Sequence, residues 1–383
     1  MTRVAVQPEL FRWARDRAGL DAFALAARFP RLPAWETGEA QPTLRQLEGY
    51  AHATHAPVGY FFLPEPPHEP LPIPDFRTVA DRAIARPGAD LLDVLYTCQA
   101  RQAWYRDEAL VTGQRPLLFV GSIDPATAPA EAAAQMRREL GFNVEARRDA
   151  PSWTEALRLF IAQADGLGVL VMVSGVVANN NTRVLDPNEF RGFALVDPLA
   201  PLVFINGADS KAAQMFTLAH ELAHLWLGQS ALSNAGAESV GNQATEAWCN
   251  QVAAELLVPM QDFRNVLVQD EALADALRRL ARYFKVSSLM ILRRMLDAGH
   301  IDQNQFWLAF RAEQERFARM EANGGGGGDF YRTTTSRVGK RFARSLLEST
   351  LEGRTLYRDA FQMLGIAKTS TFNELGRSLG MPL

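Results

Sequence analysis

Two histidines four residues apart enclose a glutamate in the run His220-Glu221-Leu222-Ala223-His224. On an α-helix, residues i and i+4 lie about 40° apart in projection and one turn apart in height, so both imidazoles can bind one metal ion. Glu221 lies about 100° round from His220, beside the ion rather than on it. This placement suits a base that takes a proton from water activated by the ion. The spacing therefore predicts a metal site with Glu221 as its catalytic residue.

The alternative is a pair of core histidines that satisfy each other or nearby carbonyls. Six histidines in 383 residues make a chance occurrence of this motif rare, roughly 0.006 per chain. The flanking residues are apolar on nearly every side, as in a helix buried in a domain interior. These flanking residues are Phe216, Leu218, Leu222, Leu225, Trp226 and Leu227.

A catalytic zinc site needs a third protein ligand and an open fourth position. A second helix is predicted over residues 245–258, ended by Pro259, and Glu246 in its first turn is the chosen third ligand. Two other acids compete with it. Glu255 lies nine positions further, half a turn away, so both cannot face one ion. Glu238 lies in the preceding loop and could bind only if that loop were ordered. One Zn²⁺ is expected, with Mn²⁺ as the alternative ion.

Two residues follow Glu246 by about one turn on nearly the same face. Asn250 is a candidate for orienting a ligand, and an amide on the helix surface is an equally open interpretation. Cys249 is interpreted as a small buried thiol. The group that stabilises the developing oxyanion stays open, because no motif chooses among three candidates. These candidates are Tyr283, His300 and Tyr331.

The motifs around these residues resemble the ImmA/IrrE family of metallopeptidases, with similarity over about residues 157–296. The matching runs are Thr217-Leu218-Ala219-His220-Glu221-Leu222-Ala223-His224, Glu246-Ala247-Trp248-Cys249-Asn250, Leu256-Leu257-Val258-Pro259 and the strand-like Leu202-Val203-Phe204-Ile205-Asn206. The resemblance implies that His220, His224 and Glu246 bind the metal and that Glu221 is catalytic. It also implies cleavage of a partner transcriptional repressor, in a stress-response or mobile-element setting.

The helices and strands predicted around these residues indicate a helix-rich α+β fold. Helices are expected over residues 90–112, 129–140 and 153–164, and strands over 168–177, 192–196 and 202–205. The expected core is a small gluzincin-like metallopeptidase domain, with a short mixed sheet, the motif helix and the Glu-bearing helix. A substrate strand is expected to pair with an edge formed by residues 192–196.

Two stretches suggest boundaries. Six prolines fall within residues 64–74, and residues 324–328 are five consecutive glycines. The predicted division is a helix-turn-helix-like module (1–63), a proline-rich linker (64–80), a helical region with the metallopeptidase domain (81–323), a glycine linker (324–328) and a C-terminal helical module (329–383).

The N-terminal module resembles the helix-turn-helix domain of the Xre repressor family. The matching pieces are Arg15-x-x-Ala18-Gly19-Leu20, Leu25-Ala26, Trp35-Glu36-x-Gly38-Glu39 and Pro42-Thr43-x-x-Gln46-Leu47. However, Pro30 and Pro33 fall where a recognition helix should be. Eight Arg against nine Asp or Glu in residues 1–78 also give the wrong charge for phosphate binding. The module is therefore expected to dimerise, dock or regulate, with a homodimer as one form, and DNA binding is the less favoured alternative.

The composition narrows the class of protein further. A formal net charge of −3 gives no general attraction to nucleic acid or to anionic membranes. The two cysteines fall outside any Cys-x-x-Cys pair, and the sequence shows no signal-peptide pattern and no membrane span. These features predict a cytoplasmic protein. After the glycine run, residues 329–383 carry nine basic and five acidic residues. A solvated face is the commoner interpretation of such a charged stretch, and nucleic-acid contact is the alternative.

The predicted function is a zinc-dependent endopeptidase that acts on a protein substrate, expected to be a repressor. The alternative is an antitoxin-like or transcriptional regulatory protein that binds a neighbouring partner such as a toxin, and also DNA. Zinc-dependent loss of an intact partner favours the peptidase, whereas stoichiometric binding that resists EDTA favours the alternative.

Overall fold

A computed structural model describes residues 3–69, 71–74, 78–79, 82–83, 87–233, 243–321 and 330–382. The chain forms two compact units, one of Met1–Pro72 with Ile84–Tyr96 and one of Ile73–Ala83 with Thr97–Leu383. The predicted glycine linker and the competing ligand Glu238 lie outside the described residues. No helix in the described ranges is long and apolar enough to cross a membrane.

Within residues 3–69, the first unit contains four short helices, followed by a 3₁₀ turn at Val58–Phe62. The helices are α1 (Pro8–Arg17), α2 (Ala22–Arg28), α3 (Leu32–Glu36) and α4 (Leu44–Ala53). Asp21 caps α2, as expected, and Thr43 and Gln46 form a reciprocal capping box at the start of α4. α3 has only five residues, with Pro33 in its first turn. The core of this unit is aromatic, built on Phe11, Trp35, Tyr50 and Phe61.

Helices dominate the rest of the chain. They are α5 (Ala89–Val111), α6 (Pro129–Leu140), α7 (Val144–Arg148), α8 (Trp153–Leu167), α9 (Lys211–Leu227), α10 (Gln243–Leu257), α11 (Met260–Val266), α12 (Leu273–Phe284), α13 (Ser288–Asp297), α14 (Gln303–Glu321), α15 (Phe330–Val338), α16 (Lys340–Leu351), α17 (Tyr357–Leu364) and α18 (Thr369–Ser378). The strands are the antiparallel pair β1 (Thr78–Val79) and β2 (Arg82–Ala83), then β3 (Leu170–Ser174), β4 (Gly192–Leu195), β5 (Leu202–Asn206) and β6 (Ala231–Ser233).

The four later strands form a mixed sheet in the order β3-β5-β4-β6. β3 runs parallel to β5, and β4 runs antiparallel to both β5 and β6. The predicted helix-rich α+β class with a small mixed sheet is confirmed. Helices α8 and α9 pack against strands of this sheet, and α10 packs between α6 and α9. The sheet therefore supports the motif helix, which in turn supports the Glu-bearing helix.

The prediction that residues 192–196 form a free edge for substrate is wrong. β4 is an interior strand, since Phe193 pairs with Phe204 of β5 on one side and with Leu232 of β6 on the other. The sequence of β6 reads as part of a loop, but its three residues complete the ladder. On the outer side of β6, the Leu232 N–H donates to the Pro74 carbonyl at 3.0 Å.

The C-terminal helices belong to the same compact unit as the sheet. α15 and α16 pack against β3, and Gly339 between them has a positive φ of 81°. A Cβ at Gly339 would lie 2.8 Å from the Val171 carbonyl oxygen, so glycine permits this close approach. The buried Arg101 donates to the Met363 carbonyl at 3.1 and 2.8 Å. Arg101 thus ties this segment to α5, and the packing of α15 and α16 ties it to the sheet.

Candidate metal centre

Helix α9, which carries both histidines, has defined ends. The Ser210 side chain accepts from the Ala213 N–H at the start of the helix. Gly228 ends it in the left-handed conformation, with φ of 71°. Nearly every residue from Gln214 to Leu227 is buried, as the apolar flanks predict. A helix fixed at both ends and buried on all sides presents its histidines with little freedom.

Helix α10 is held at its C-terminal end by three arginines. Arg137 donates to the Glu255 carbonyl, Arg147 to the Leu257 carbonyl and Arg294 to the Val258 carbonyl. The last carbonyls of a helix lack partners within the helix and carry partial negative charge, so guanidinium groups stabilise them. Arg294 also pairs with the Glu255 carboxylate at 2.6 Å. Glu255, the competing ligand, therefore serves this arginine cluster and not the metal site.

The structure brings His220, His224 and Glu246 together, with their ligand atoms within 4.8 Å of one another. The two Nε2 atoms are 3.2 Å apart. Glu246 Oε2 lies 3.2 Å from Nε2 of His220, and Oε1 lies 3.1 Å from Nε2 of His224. Zinc bound tetrahedrally at about 2.0–2.1 Å requires ligand atoms about 3.3 Å apart. The three side chains thus fit a single ion of this kind.

Burial and mutual charge shift the pKa values of these groups. Burial opposes ionisation of Glu246, but hydrogen bonds from both histidines overcome it and lower its pKa to about 2. Burial also opposes protonation of His220, yet Glu246 and Glu221 raise its pKa overall. Burial lowers the pKa of His224. An ionised carboxylate beside two imidazoles is the donor set that divalent zinc prefers.

Asn250 lies 3.0 Å from His220, measured from its Oδ1 to the imidazole Nδ1. Because the amide oxygen can only accept, Nδ1 carries the hydrogen, so in the neutral ring Nε2 has the lone pair. Nε2 is the atom that faces His224 and Glu246. The geometry therefore favours the orienting interpretation of Asn250 over the helix-surface amide.

Glu221 lies on the sheet side of the two histidines, next to the first residue of β4. A Cβ added to Gly192 would lie 3.2 Å from Oε1 of Glu221, 2.5 Å from Cγ2 of Thr217 and 2.8 Å from the Phe204 carbonyl oxygen. Only glycine fits there without displacing its neighbours. This packing residue was not predicted, although a glycine inside a strand often marks a close approach.

The remaining predicted residues are Cys249, Tyr283, His300 and Tyr331. Cys249 is a fully buried thiol whose pKa burial raises well above its usual value, which agrees with an inert packing role. The Tyr283 hydroxyl accepts from Arg148 at 3.4 Å. Within the described ranges, neither Tyr283 nor His300 hydrogen-bonds to the cluster. The side chain of Tyr331 lies outside the described part of the chain.

The site and its supporting elements define a metallopeptidase-like domain. Comparison with family models matches residues 164–296 to peptidase family M78, described as the IrrE N-terminal-like domain. This segment contains the four-stranded sheet, α9 and α10, and it supports the predicted ImmA/IrrE resemblance. Residues 338–378 match a domain of unknown function, DUF8813. No curated protein matches the chain.

Proposed function

We propose that the protein is a zinc-dependent endopeptidase. The observation that carries the proposal is the convergence of two Nε2 atoms and one carboxylate at 3.1–3.2 Å beside a buried glutamate. His220, His224 and Glu246 would hold the ion, and Asn250 would fix the orientation of His220. When bound, the ion supplies Lewis-acid polarisation of a peptide carbonyl and makes water more acidic.

Glu221 performs the proton transfers in this proposal. Its carboxylate accepts a proton from the attacking water and later delivers a proton to the leaving amine. Burial of Glu221 excludes bulk water, which strengthens its electrostatic interactions with the reacting atoms. Gly192 leaves the space that the carboxylate needs to stay in this position.

All four side chains are closed off from solvent, with exposures of 0% for His220, Glu221 and His224 and 3% for Glu246. A peptide bond must come within about 3–3.5 Å of the reacting groups. Cleavage therefore requires a rearrangement that uncovers the site. We infer that the enzyme is regulated and acts on one partner protein, a repressor in a stress-response or mobile-element setting, rather than digesting peptides generally.

The decisive experiment compares the wild type with Glu221→Gln on a repressor encoded beside the gene. The wild type should cleave the repressor and bind one zinc per chain, and chelation should abolish cleavage. Glu221→Gln should keep its zinc and lose cleavage. Glu131→Gln, on the exposed first turn of α6, is the matched control and should behave as the wild type. Full cleavage by Glu221→Gln at unchanged zinc content would falsify the mechanism.

The closed site also favours a second candidate, an antitoxin-like or transcriptional regulator that binds a toxin partner and uses the metal only to stabilise its fold. Binding that is stoichiometric, leaves the partner intact and resists EDTA would support this candidate. Metal analysis of the purified protein separates Zn²⁺ from Mn²⁺ in either case. Size-exclusion chromatography with light scattering tests whether the chain forms a homodimer.

A further inference from the structure

The N-terminal unit contains a cavity of about 910 Å³ that is broadly open to solvent. This volume lies within the range of about 300–1,000 Å³ typical of small-molecule sites. The wall is formed by the end of α2, the start of α3 and the first turn of α4. Three arginines contribute to it, Arg28, Arg31 and Arg45, and no acidic residue does.

These three arginines differ from others in the same unit. Arg12 pairs with Glu9, Arg15 with Glu36 and Arg17 with Glu69. Within the described part of the chain, the cavity arginines Arg28, Arg31 and Arg45 make no ion pair. The near-neutral net charge of residues 1–78 thus includes three arginines without an ion pair around one concavity. Such an arrangement attracts an anion.

The rest of the wall is apolar and aromatic. Phe29 and Leu44 line the cavity, and the Arg28 guanidinium lies 5.4 Å from the centre of the Phe29 ring. Trp35 also lines the cavity and is 1% exposed. Its indole N–H has no hydrogen-bond acceptor among the described residues. A buried donor without an acceptor is energetically unfavourable in the ligand-free protein.

We propose that this cavity binds a small organic phosphate with an aromatic ring, the chemical class of a mononucleotide. Three guanidinium groups match the charge and the several acceptor oxygens of a phosphate monoester better than a single carboxylate. The positive end of α4 lies on the same wall and adds to this preference. Phe29 and Leu44 supply an apolar surface for the ring. The site is independent of the metal centre and of the proposed peptidase activity.

Isothermal titration calorimetry of the full chain tests the proposal, with AMP, GMP, CMP and UMP titrated separately. At least one nucleotide should bind with one site per chain. Arg31→Ala and Arg45→Ala should each weaken binding about tenfold or more, because each removes a charge-assisted hydrogen bond. Leu44→Asp, which keeps every arginine but places a carboxylate in the wall, should weaken it similarly. Arg12→Ala removes one positive charge outside the cavity and should change affinity less than about twofold.

Three results would overturn the proposal. The first is the absence of binding by all four nucleotides at millimolar concentration. The second is an equal loss of affinity in Arg12→Ala, since the effect would then reflect overall charge. The third is arginine-dependent binding of a short duplex DNA without binding of mononucleotides, which would make the surface a contact for nucleic-acid backbone. Circular dichroism of each variant establishes that the exposed substitutions leave the unit folded.

Discussion

Replacement of Asn250 by alanine tests how the metal centre is oriented. In the native protein the Asn250 Oδ1 accepts from His220 Nδ1 at 3.0 Å, which directs the lone pair of Nε2 toward His224 and Glu246. Without this acceptor, either ring nitrogen can carry the hydrogen and the ring can rotate. Binding a metal would then require selection of one tautomer and one orientation, at a cost in affinity.

The expected loss can be estimated in two ways. Removing an outer partner of a metal-bound histidine lowers metal affinity about 10- to 100-fold, or roughly 1.4–2.8 kcal/mol. Leaving a buried donor without its acceptor costs about 1–3 kcal/mol, and His220 is fully buried. The two estimates agree. Asn250→Asp keeps an acceptor oxygen near Nδ1 and should therefore bind zinc at least as tightly as the wild type.

Competition against a fluorescent zinc chelator measures these affinities directly. Gln251→Ala is the control, because Gln251 is the exposed next residue on α10. Its affinity should equal that of the wild type. Wild-type zinc affinity in Asn250→Ala, with the fold intact by circular dichroism, would refute the orienting role of Asn250.

Three further outcomes are expected. Gly192→Ala should destabilise the protein by about 1–3 kcal/mol in urea unfolding, because its Cβ would overlap Thr217. Adding Thr217→Ser should recover part of this loss, and an unchanged urea midpoint in Gly192→Ala would contradict the packing. Arg294→Met should lower the free energy of unfolding by about 3 kcal/mol, because it breaks a buried ion pair. Arg293→Met, on the exposed side of the same helix, should lower it by less than about 1 kcal/mol, and equal effects of the two variants would contradict this reasoning. Since the pKa of His220 is raised above 6.5, zinc binding at pH 6.5 should release more than half a proton from this ring, and less as pH rises above that pKa. Calorimetry in buffers of different ionisation enthalpy measures this release, and its absence would contradict the raised pKa.

The parts of the site that depend on local geometry could be predicted from the sequence. The spacing of His220 and His224 places both imidazoles on one helix face, and Pro259 gives the end of the next helix. The same helical arithmetic shows that Glu246 and Glu255 cannot both face one ion. The structure places Glu255 against Arg294. Such predictions succeed because a helix fixes the relation between residues a few positions apart.

The parts that depend on distant pairing could not be predicted. β6 has only three residues and gains its definition from the ladder to β4, so the sequence of that segment reads as a loop. The arginines that hold the end of α10 come from three different helices, α6, α7 and α13. No periodicity links Arg137, Arg147 and Arg294. Only the tertiary fold shows that they share one set of carbonyls.

The distribution of charge in the N-terminal unit also could not be predicted from the sequence. The near-neutral total of residues 1–78 argues against binding an anion when all charges are counted equally. The structure shows that the charges are not equivalent, because Arg12, Arg15 and Arg17 are compensated by acids within the unit. The opposite charges of an ion pair largely cancel at distances that are long compared with their separation, and salt screens what remains over about 10 Å. Unpaired charges of both signs remain in the unit, but the charged residues of the cavity wall are all basic, namely Arg28, Arg31 and Arg45. An anion that approaches the cavity therefore meets positive charge.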